Sequence, residues 1–107
     1  MNRGERRALA HYLVRGYRIL GWNQWAGGNE LDLVVRRGRR LIFCEVKEKR
    51  GDRYGDPLEM VGPEKQRRVR RAAEAWLDAH PEHRGLVTSF EVVGVRPGRV
   101  ERVRRAF

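Results

Sequence analysis

Two carboxylates and a lysine occupy positions from which they could act together on a phosphodiester. Asp32 lies in one apolar run, and Glu45 and Lys47 lie two residues apart in the next. Mg²⁺ prefers oxygen ligands, and waters and a phosphate complete its coordination shell. A lysine beside such an ion could hold the attacking water or neutralise charge in the transition state. The pattern therefore indicates a metal site suited to phosphodiester hydrolysis, with Asp32, Glu45 and the carbonyl of Val46 as ligands.

A β-hairpin would have to bring these side chains together. The basic segment between the two apolar runs contains Gly38, which is typical of a hairpin turn. If Gly38 is the first of two turn residues, counting back places Asp32 opposite Glu45 and Glu30 opposite Lys47. Because side chains alternate across a strand, these four would share one face of the sheet.

The same alternation predicts that Leu31 and Leu33 point together to the opposite face. The alternative to a metal site is an exposed hairpin face with cross-strand ion pairs, worth a few tenths to about 1 kcal/mol each.

Lysine occurs only at positions 47, 49 and 65 in a chain that otherwise uses arginine. A compact ammonium whose pKa can shift is one reason to keep a lysine at position 47.

Two further polar residues lie on the inward sides of predicted helices. Apolar spacing predicts a helix over 3–15, with Glu5 in line with its apolar stripe, and Pro63 opens a second helix over 63–80, with Gln66 facing inward. Glu5 is either favoured there by the helix N-terminus or directed at the catalytic site. Gln66 either bonds to backbone or orients a water or substrate phosphate. Both residues are retained as candidate catalytic residues.

The remaining pattern predicts short strands and loops. Trp22, which ends the first strand, is expected in the core, whereas Trp25 in the following loop could equally stack on a base. A polar segment after Lys47 predicts a surface loop. The predicted segments are a first strand over 17–22, a loop over 23–29, a surface loop over 48–57, a strand over 86–95 and an edge strand over 100–107.

The charge balance favours a polyanionic partner. The chain has 24 Lys and Arg against 14 Asp and Glu, a formal net charge of +10, and nucleic acid is the first candidate partner for such a chain. The alternative explanation of the net charge is an arginine-rich composition without such a partner. For the basic residues of the predicted loop and of the second helix, the alternative is an ordinary solvated surface. The candidate nucleic-acid contacts are Lys49, Arg50, Arg53, Lys65, Arg67, Arg68 and Arg71.

Several classes are excluded or disfavoured. A single cysteine, Cys44, rules out an internal disulfide and a cysteine-based zinc site, and the three histidines show no metal-ligand spacing. The sequence has no signal-peptide pattern and no apolar run near 18 residues, so we expect a cytoplasmic protein without membrane association. Its 107 residues predict one domain, 1–107.

Taken together, the motifs resemble the uncharacterised bacterial YraN-like family over about residues 2–95. That family is similar to archaeal Holliday-junction resolvases and to the restriction-endonuclease-like PD-(D/E)XK nucleases. The segments that carry the resemblance are Gly4-Glu5, Gly16-Tyr17-Arg18-Ile19-Leu20, Asn23, Glu30-Leu31-Asp32-Leu33-Val34, Phe43-Cys44-Glu45-Val46-Lys47 and Lys65-Gln66-Arg67-Arg68.

The resemblance implies an α/β, restriction-endonuclease-like fold, with a mixed central β-sheet of about five strands flanked by α-helices. It implies Mg²⁺ or Mn²⁺, a DNA substrate that includes branched or junction DNA, and catalytic positions at Asp32, Glu45 and Lys47, with Glu5 and Gln66 in support. The edge strand at 100–107 would allow a homodimer. Two alternatives stay open: a nucleic-acid-binding module of the same fold without turnover, and an interaction domain with RNA or protein partners.

Overall fold

The computed structural model describes residues 1–49 and 61–107. In these ranges two helices and five strands form an α/β fold with one mixed sheet, in the order β1-β2-β3-β4-β5. The first three strands are antiparallel neighbours, β4 runs parallel to β3, and β5 is antiparallel to β4. The elements are α1 Arg3–Leu13, β1 Arg18–Ala26, β2 Asn29–Arg37, β3 Arg40–Glu48, α2 Pro63–Ala79, β4 Val87–Arg96 and β5 Arg99–Val103.

Each helix covers one face of the sheet. Ala8 and Tyr12 of α1 pack with Leu33, Val35, Ile42 and Cys44. The inner side of α2 packs on the alternate residues of β2 and β3, and its buried members are Val69, Ala72, Ala73, Trp76 and Leu77. The mixed five-stranded sheet flanked by helices is thereby confirmed. No helix in the described ranges is long and apolar enough to cross a membrane.

Local sequence explains where α1 begins. The Asn2 side chain accepts a hydrogen bond from the backbone N–H of Glu5 at 2.8 Å, and Glu5 Oε1 accepts one from the backbone N–H of Asn2 at 2.9 Å. This reciprocal cap satisfies two backbone donors that a helix start leaves without partners. Past the helix, Gly16 adopts φ +86°, a conformation that glycine takes without strain.

The predicted register of the β2–β3 hairpin is confirmed as far as Leu33 and Cys44, but the predicted pairs Asp32–Glu45 and Glu30–Lys47 are not part of the ladder. Arg37 pairs with Arg40, and the ladder continues to Leu33 opposite Cys44. Gly38 has φ +60°, as a two-residue turn with glycine first requires. Beyond Leu33 and Cys44 the paired ladder ends, so the two strands separate at Asp32.

The alternation predicted for β2 is wrong at its start. Leu33 packs in the core beneath α1, but Leu31 packs with Val69 and Trp76 beneath α2. The two leucines that flank Asp32 therefore lie on opposite faces of the sheet. The change of face occurs where the ladder to β3 ends, and it leaves Asp32 at the margin between the two helical layers.

The predicted loop over 23–29 is also wrong, because β1 extends to Ala26 and only Gly27 and Gly28 form the turn. Asn23 adopts φ +46° within this strand, and the pairing with β2 continues on both sides of it. Since β1 is an edge strand, Trp22 is 51% exposed rather than in the core, and Trp25 is 74% exposed. The last strand, predicted over 100–107, ends at Val103.

Candidate functional site

Three carboxylates from two elements meet at the end of the sheet. Glu5 of α1 and Glu30 and Asp32 of β2 each offer an oxygen within 4.8 Å of the other two. The amide of Asn23 links two of them, since its Nδ2 donates to Glu5 Oε2 at 2.8 Å and to Glu30 Oε1 at 3.2 Å. One oxygen of Glu5 therefore caps α1, and the other faces the cluster.

Asp32 lies at the centre of this group because β2 and β3 separate beside it. Its Oδ2 accepts a hydrogen bond from the backbone N–H of Val46 at 2.9 Å. Burial raises the pKa of Asp32, and the nearby charges of Glu5 and Glu30 raise it further, against the Val46 hydrogen bond and Lys65. The N–H and C=O of a strand residue point toward the same neighbouring strand, so the Val46 carbonyl is directed to the Asp32 side as well.

Glu45 is the most deeply buried carboxylate at the site, with 2% of its surface exposed. Burial, and then the charge of Asp32, raise its pKa to about 7, although Lys65 and Lys47 act in the opposite direction. Its Oε2 lies 3.6 Å from Lys65 Nζ. Its Oε1 is buried and has no hydrogen-bond partner among the described residues, which is costly for a carboxylate unless a cation approaches it.

Two lysines bring positive charge to these carboxylates. Lys47 is half-buried in β3, and it is close enough to lower the pKa of Glu45. Lys65 comes from the first turn of α2, and its side chain is 32% exposed. Lys65 is one of the predicted nucleic-acid contacts, and the structure places its ammonium beside Glu45.

Gln66 does not reach the carboxylates. Its Nε2 donates to the carbonyl of Val61 at 2.9 Å, which is the backbone partner that one of the two interpretations predicted. The bond joins Val61, which precedes α2, to the first turn of that helix.

The candidate nucleic-acid contacts separate into three groups. Arg67, Arg68 and Arg71 are exposed on α2. Lys49, which the sequence predicted on an exposed loop, is 2% exposed, because it continues the β3 direction and its N–H bonds to Val95 O at 2.8 Å. Arg50 and Arg53, with most of the predicted loop over 48–57, lie outside the described residues.

Asn23 was absent from the predicted site, and Glu30 was predicted on the same face as Asp32 but not as a ligand. Asn23 appeared to belong to a loop, and Glu30 was expected to face Lys47 rather than to join the ligand set. A signal was available for Glu30, since it lies two residues before Asp32 in the same strand. Asn23 required the register of the first hairpin, which places it opposite Asp32.

A divalent cation fits this donor set. Crowded, desolvated carboxylates repel one another, and an ion among them removes that cost. The buried Oε1 of Glu45, which has no hydrogen-bond partner among the described residues, is an acceptor of the kind that such an ion uses.

The family model described as Uncharacterised protein family UPF0102 matches residues 4–95. The chain belongs to this family. The match includes every carboxylate and lysine of the site, and UPF0102 is the YraN-like family whose motifs the sequence resembles.

Individual UPF0102 relatives match almost the whole chain. A UPF0102 protein of Frankia casuarinae is 43% identical over 109 residues, which cover 97% of this chain and 92% of the relative. One from Alkalilimnicola ehrlichii is 40% identical over 106 residues, which cover 99% of this chain and 84% of the relative. One from Nitrobacter winogradskyi is 40% identical, with 92% and 81% covered.

Proposed function

We propose that this UPF0102 protein is a metal-dependent DNA endonuclease, with Mg²⁺ or Mn²⁺ as its cofactor and branched DNA among its substrates. The carboxylate cluster and the formal net charge of +10 support the proposal. A strongly basic surface attracts a polyanion, whereas a compact acidic group on that surface repels it unless a cation intervenes. The described chain thus combines two requirements of phosphodiester hydrolysis: positive charge that attracts the polyanion and carboxylates that can bind a metal ion.

The single observation that carries the proposal is the state of Glu45. This carboxylate is 2% exposed, lies close enough to Asp32 for the two charges to interact, and has one oxygen without a hydrogen-bond partner in the described chain. A structural ion pair would be expected to satisfy both oxygens of so buried a group. A ligand position explains why one oxygen is kept available.

The residues that would hold the ion are Asp32, Glu45 and the carbonyl of Val46, with Glu5 and Glu30 around them. When bound, the ion supplies a Lewis acid for the phosphate and lowers the pKa of a water. The chain itself contributes orientation: Val46 N–H fixes one oxygen of Asp32, and Asn23 fixes Glu5 and Glu30. Lys47 would hold the attacking water or neutralise charge on the phosphate.

The decisive experiment is a cleavage assay with purified protein. Linear duplex, single-stranded and four-way-junction DNA are incubated with Mg²⁺, Mn²⁺ or EDTA. We expect cleavage of at least one substrate with metal only, and a loss of at least about 100-fold in Glu45→Gln and Asp32→Asn. Asp78→Asn is the matched control, because Asp78 is an exposed residue of α2 that pairs with Arg84 away from the cluster. Cleavage that is equal in all variants, or absent with every substrate, would refute the proposal.

One observation favours the alternative of a nucleic-acid-binding module without turnover. Lys65 Nζ lies 3.6 Å from Glu45 Oε2 and supplies positive charge without a metal. If this ion pair is the purpose of the site, DNA binding is salt-dependent and indifferent to Mg²⁺, and Asp32→Asn binds DNA as well as or better than the wild type. Calorimetric titration of Mg²⁺ into the protein separates the two, since only the nuclease requires a site that Asp32→Asn abolishes.

A further inference from the structure

A basic cavity of about 520 Å³ lies where β3 and β4 end, against the first two turns of α1. Four cationic side chains line it, and they come from three parts of the chain: Arg3 and Arg7 from α1, Lys49 after β3, and Arg96 at the end of β4. Glu48 is the single carboxylate among its described lining residues. The described lining residues therefore carry more positive than negative charge.

Three of the four basic residues are held in place by the fold. Arg7 Nη1 donates to the Arg96 carbonyl at 2.7 Å, and Arg96 Nε lies 3.6 Å from Glu101 Oε1. Lys49 is 2% exposed, and its backbone is tied to β4 through Val95. Rigid placement matters because less side-chain freedom is lost when a ligand binds.

Several fixed cations around one cavity favour an anionic ligand. Guanidinium groups match the oxygens of phosphate in geometry as well as in charge. The first backbone N–H groups of α1 do not all contribute, since the Asn2 cap already occupies one of them. Recognition would therefore depend on the basic side chains.

The cavity adjoins the carboxylate cluster. Gly4 lies between Arg3, which lines the cavity, and Glu5, which belongs to the cluster. A Cβ at Gly4 would lie 3.2 Å from Glu48 Oε2, so α1 rests directly on the end of β3. Along that strand, Lys47 and Lys49 are two residues apart, about 6.6 Å.

We propose that this cavity binds a phosphate group of the nucleic-acid strand, next to the phosphodiester that lies at the carboxylate cluster. This inference rests on the proposed function, and it assigns the cavity the task of setting which phosphodiester reaches the carboxylates. Arg3 and Arg7 are the contacts to test by substitution, because their side chains reach the cavity from a helix and are not part of the sheet.

The test measures binding of a fluorescently labelled single-stranded 12-mer by anisotropy, in EDTA, at several salt concentrations. We expect Arg3→Gln to weaken binding at least about fivefold and to lower the slope of log K against log salt by about 0.7. The double variant Arg3→Gln with Arg7→Gln should lower both further. Arg39→Gln is the matched control: it removes the same charge from an exposed arginine at the opposite end of β3, and it should leave both quantities unchanged.

Because EDTA is present, the outcome does not depend on catalysis. If Arg3→Gln and the double variant bind like Arg39→Gln, the cavity proposal is overturned even where the wild type cleaves DNA. If the arginine variants lose affinity but no DNA is cleaved with any metal, the nuclease proposal fails and the cavity proposal stands.

A second measurement distinguishes a strand phosphate from free phosphate. Amide resonances of Lys49 and Gly98, both at the cavity, are followed in ¹⁵N-labelled protein during titration with inorganic phosphate and with the 12-mer. We expect the 12-mer to shift both resonances at lower concentration than inorganic phosphate does. Shifts with inorganic phosphate alone would assign the cavity to a free anion and overturn its assignment to nucleic acid.

Discussion

Glu45 couples the chemistry of the site to the stability of the fold. Its pKa is raised to about 7 from an ordinary value of 4.5, chiefly by burial. Between these two values the folded protein keeps a proton that the unfolded chain releases, so raising the pH favours unfolding. The extra stability is present at low pH and is lost as the pH rises through about 7. Asp32, whose pKa is also raised, acts in the same direction.

We therefore expect the metal-free protein to lose up to about 3 kcal/mol of unfolding free energy between pH 5 and pH 8. Glu45→Gln should remove most of this dependence, because the amide does not titrate, whereas Asp78→Asn should keep it. Urea unfolding at pH 5, 6, 7 and 8 measures the effect. Mg²⁺ added at pH 8 should restore stability to the wild type and to Asp78→Asn but not to Glu45→Gln. A pH dependence that is the same in Glu45→Gln would contradict the assignment.

At the scale of single elements, the hairpin shows what local sequence determines. The turn at Gly38 fixes the pairing of β2 with β3, because turn length and glycine conformation are local properties. The face change between Leu31 and Leu33 is not local. It depends on which helix each of the two leucines packs against, and the sequence of a single strand does not contain that information.

Lys65 illustrates a second limit of the sequence. Its charge was readable, and a basic residue at a helix start suggested a phosphate contact. Its place beside Glu45 follows from the crossover that carries the chain from β3 through α2 to the parallel strand β4. Only the assembled sheet brings the first turn of α2 next to the end of β3.

The β1–β2 hairpin contacts α2 through Gly27, and this contact can be tested against its neighbour. Gly27 and Gly28 both have positive φ, +56° and +79°, but a Cβ at Gly27 would lie 3.1 Å from the Arg71 carbonyl, whereas a Cβ at Gly28 meets nothing within 4 Å. Gly28→Ala should cost about 1 kcal/mol for conformation alone, and Gly27→Ala clearly more. Denaturant unfolding measures the unfolding free energy of both variants. Equal losses would mean that α2 moves away from the added Cβ without a loss of stability.

Across the whole molecule, a buried polar network joins the first helix to the last strand. Glu91 Oε1 in β4 accepts hydrogen bonds from Tyr12 Oη of α1 at 2.7 Å and from Arg102 Nε of β5 at 2.6 Å. Arg102 Nη2 also donates to Tyr17 Oη at 3.2 Å, just before β1. The sequence did not reveal this network. Glu91 is a single charge in an apolar strand, and nothing in the sequence links it to Arg102 in the predicted edge strand.

The network fixes α1, and α1 carries both Glu5 of the carboxylate cluster and Arg3 of the basic cavity. Arg102→Met leaves Glu91 buried at 2% exposure without its charge partner, so we expect a loss of about 3–5 kcal/mol in unfolding free energy. Glu91→Leu combined with Arg102→Met should recover a large part of that loss, because no buried charge is left unpaired.

Arg99→Met is the control for this prediction, since Arg99 is 70% exposed and pairs with Glu101 at the surface, where such pairs contribute about 1 kcal/mol or less. Chemical denaturation of the wild type, Glu91→Leu, Arg102→Met and the double variant gives the coupling between Glu91 and Arg102. If the double variant loses the sum of the two single losses, the pair acts independently. A large coupling would mean that Glu91 and Arg102 stabilise the fold as a pair, through the carboxylate oxygen that also accepts the hydrogen bond from Tyr12 of α1.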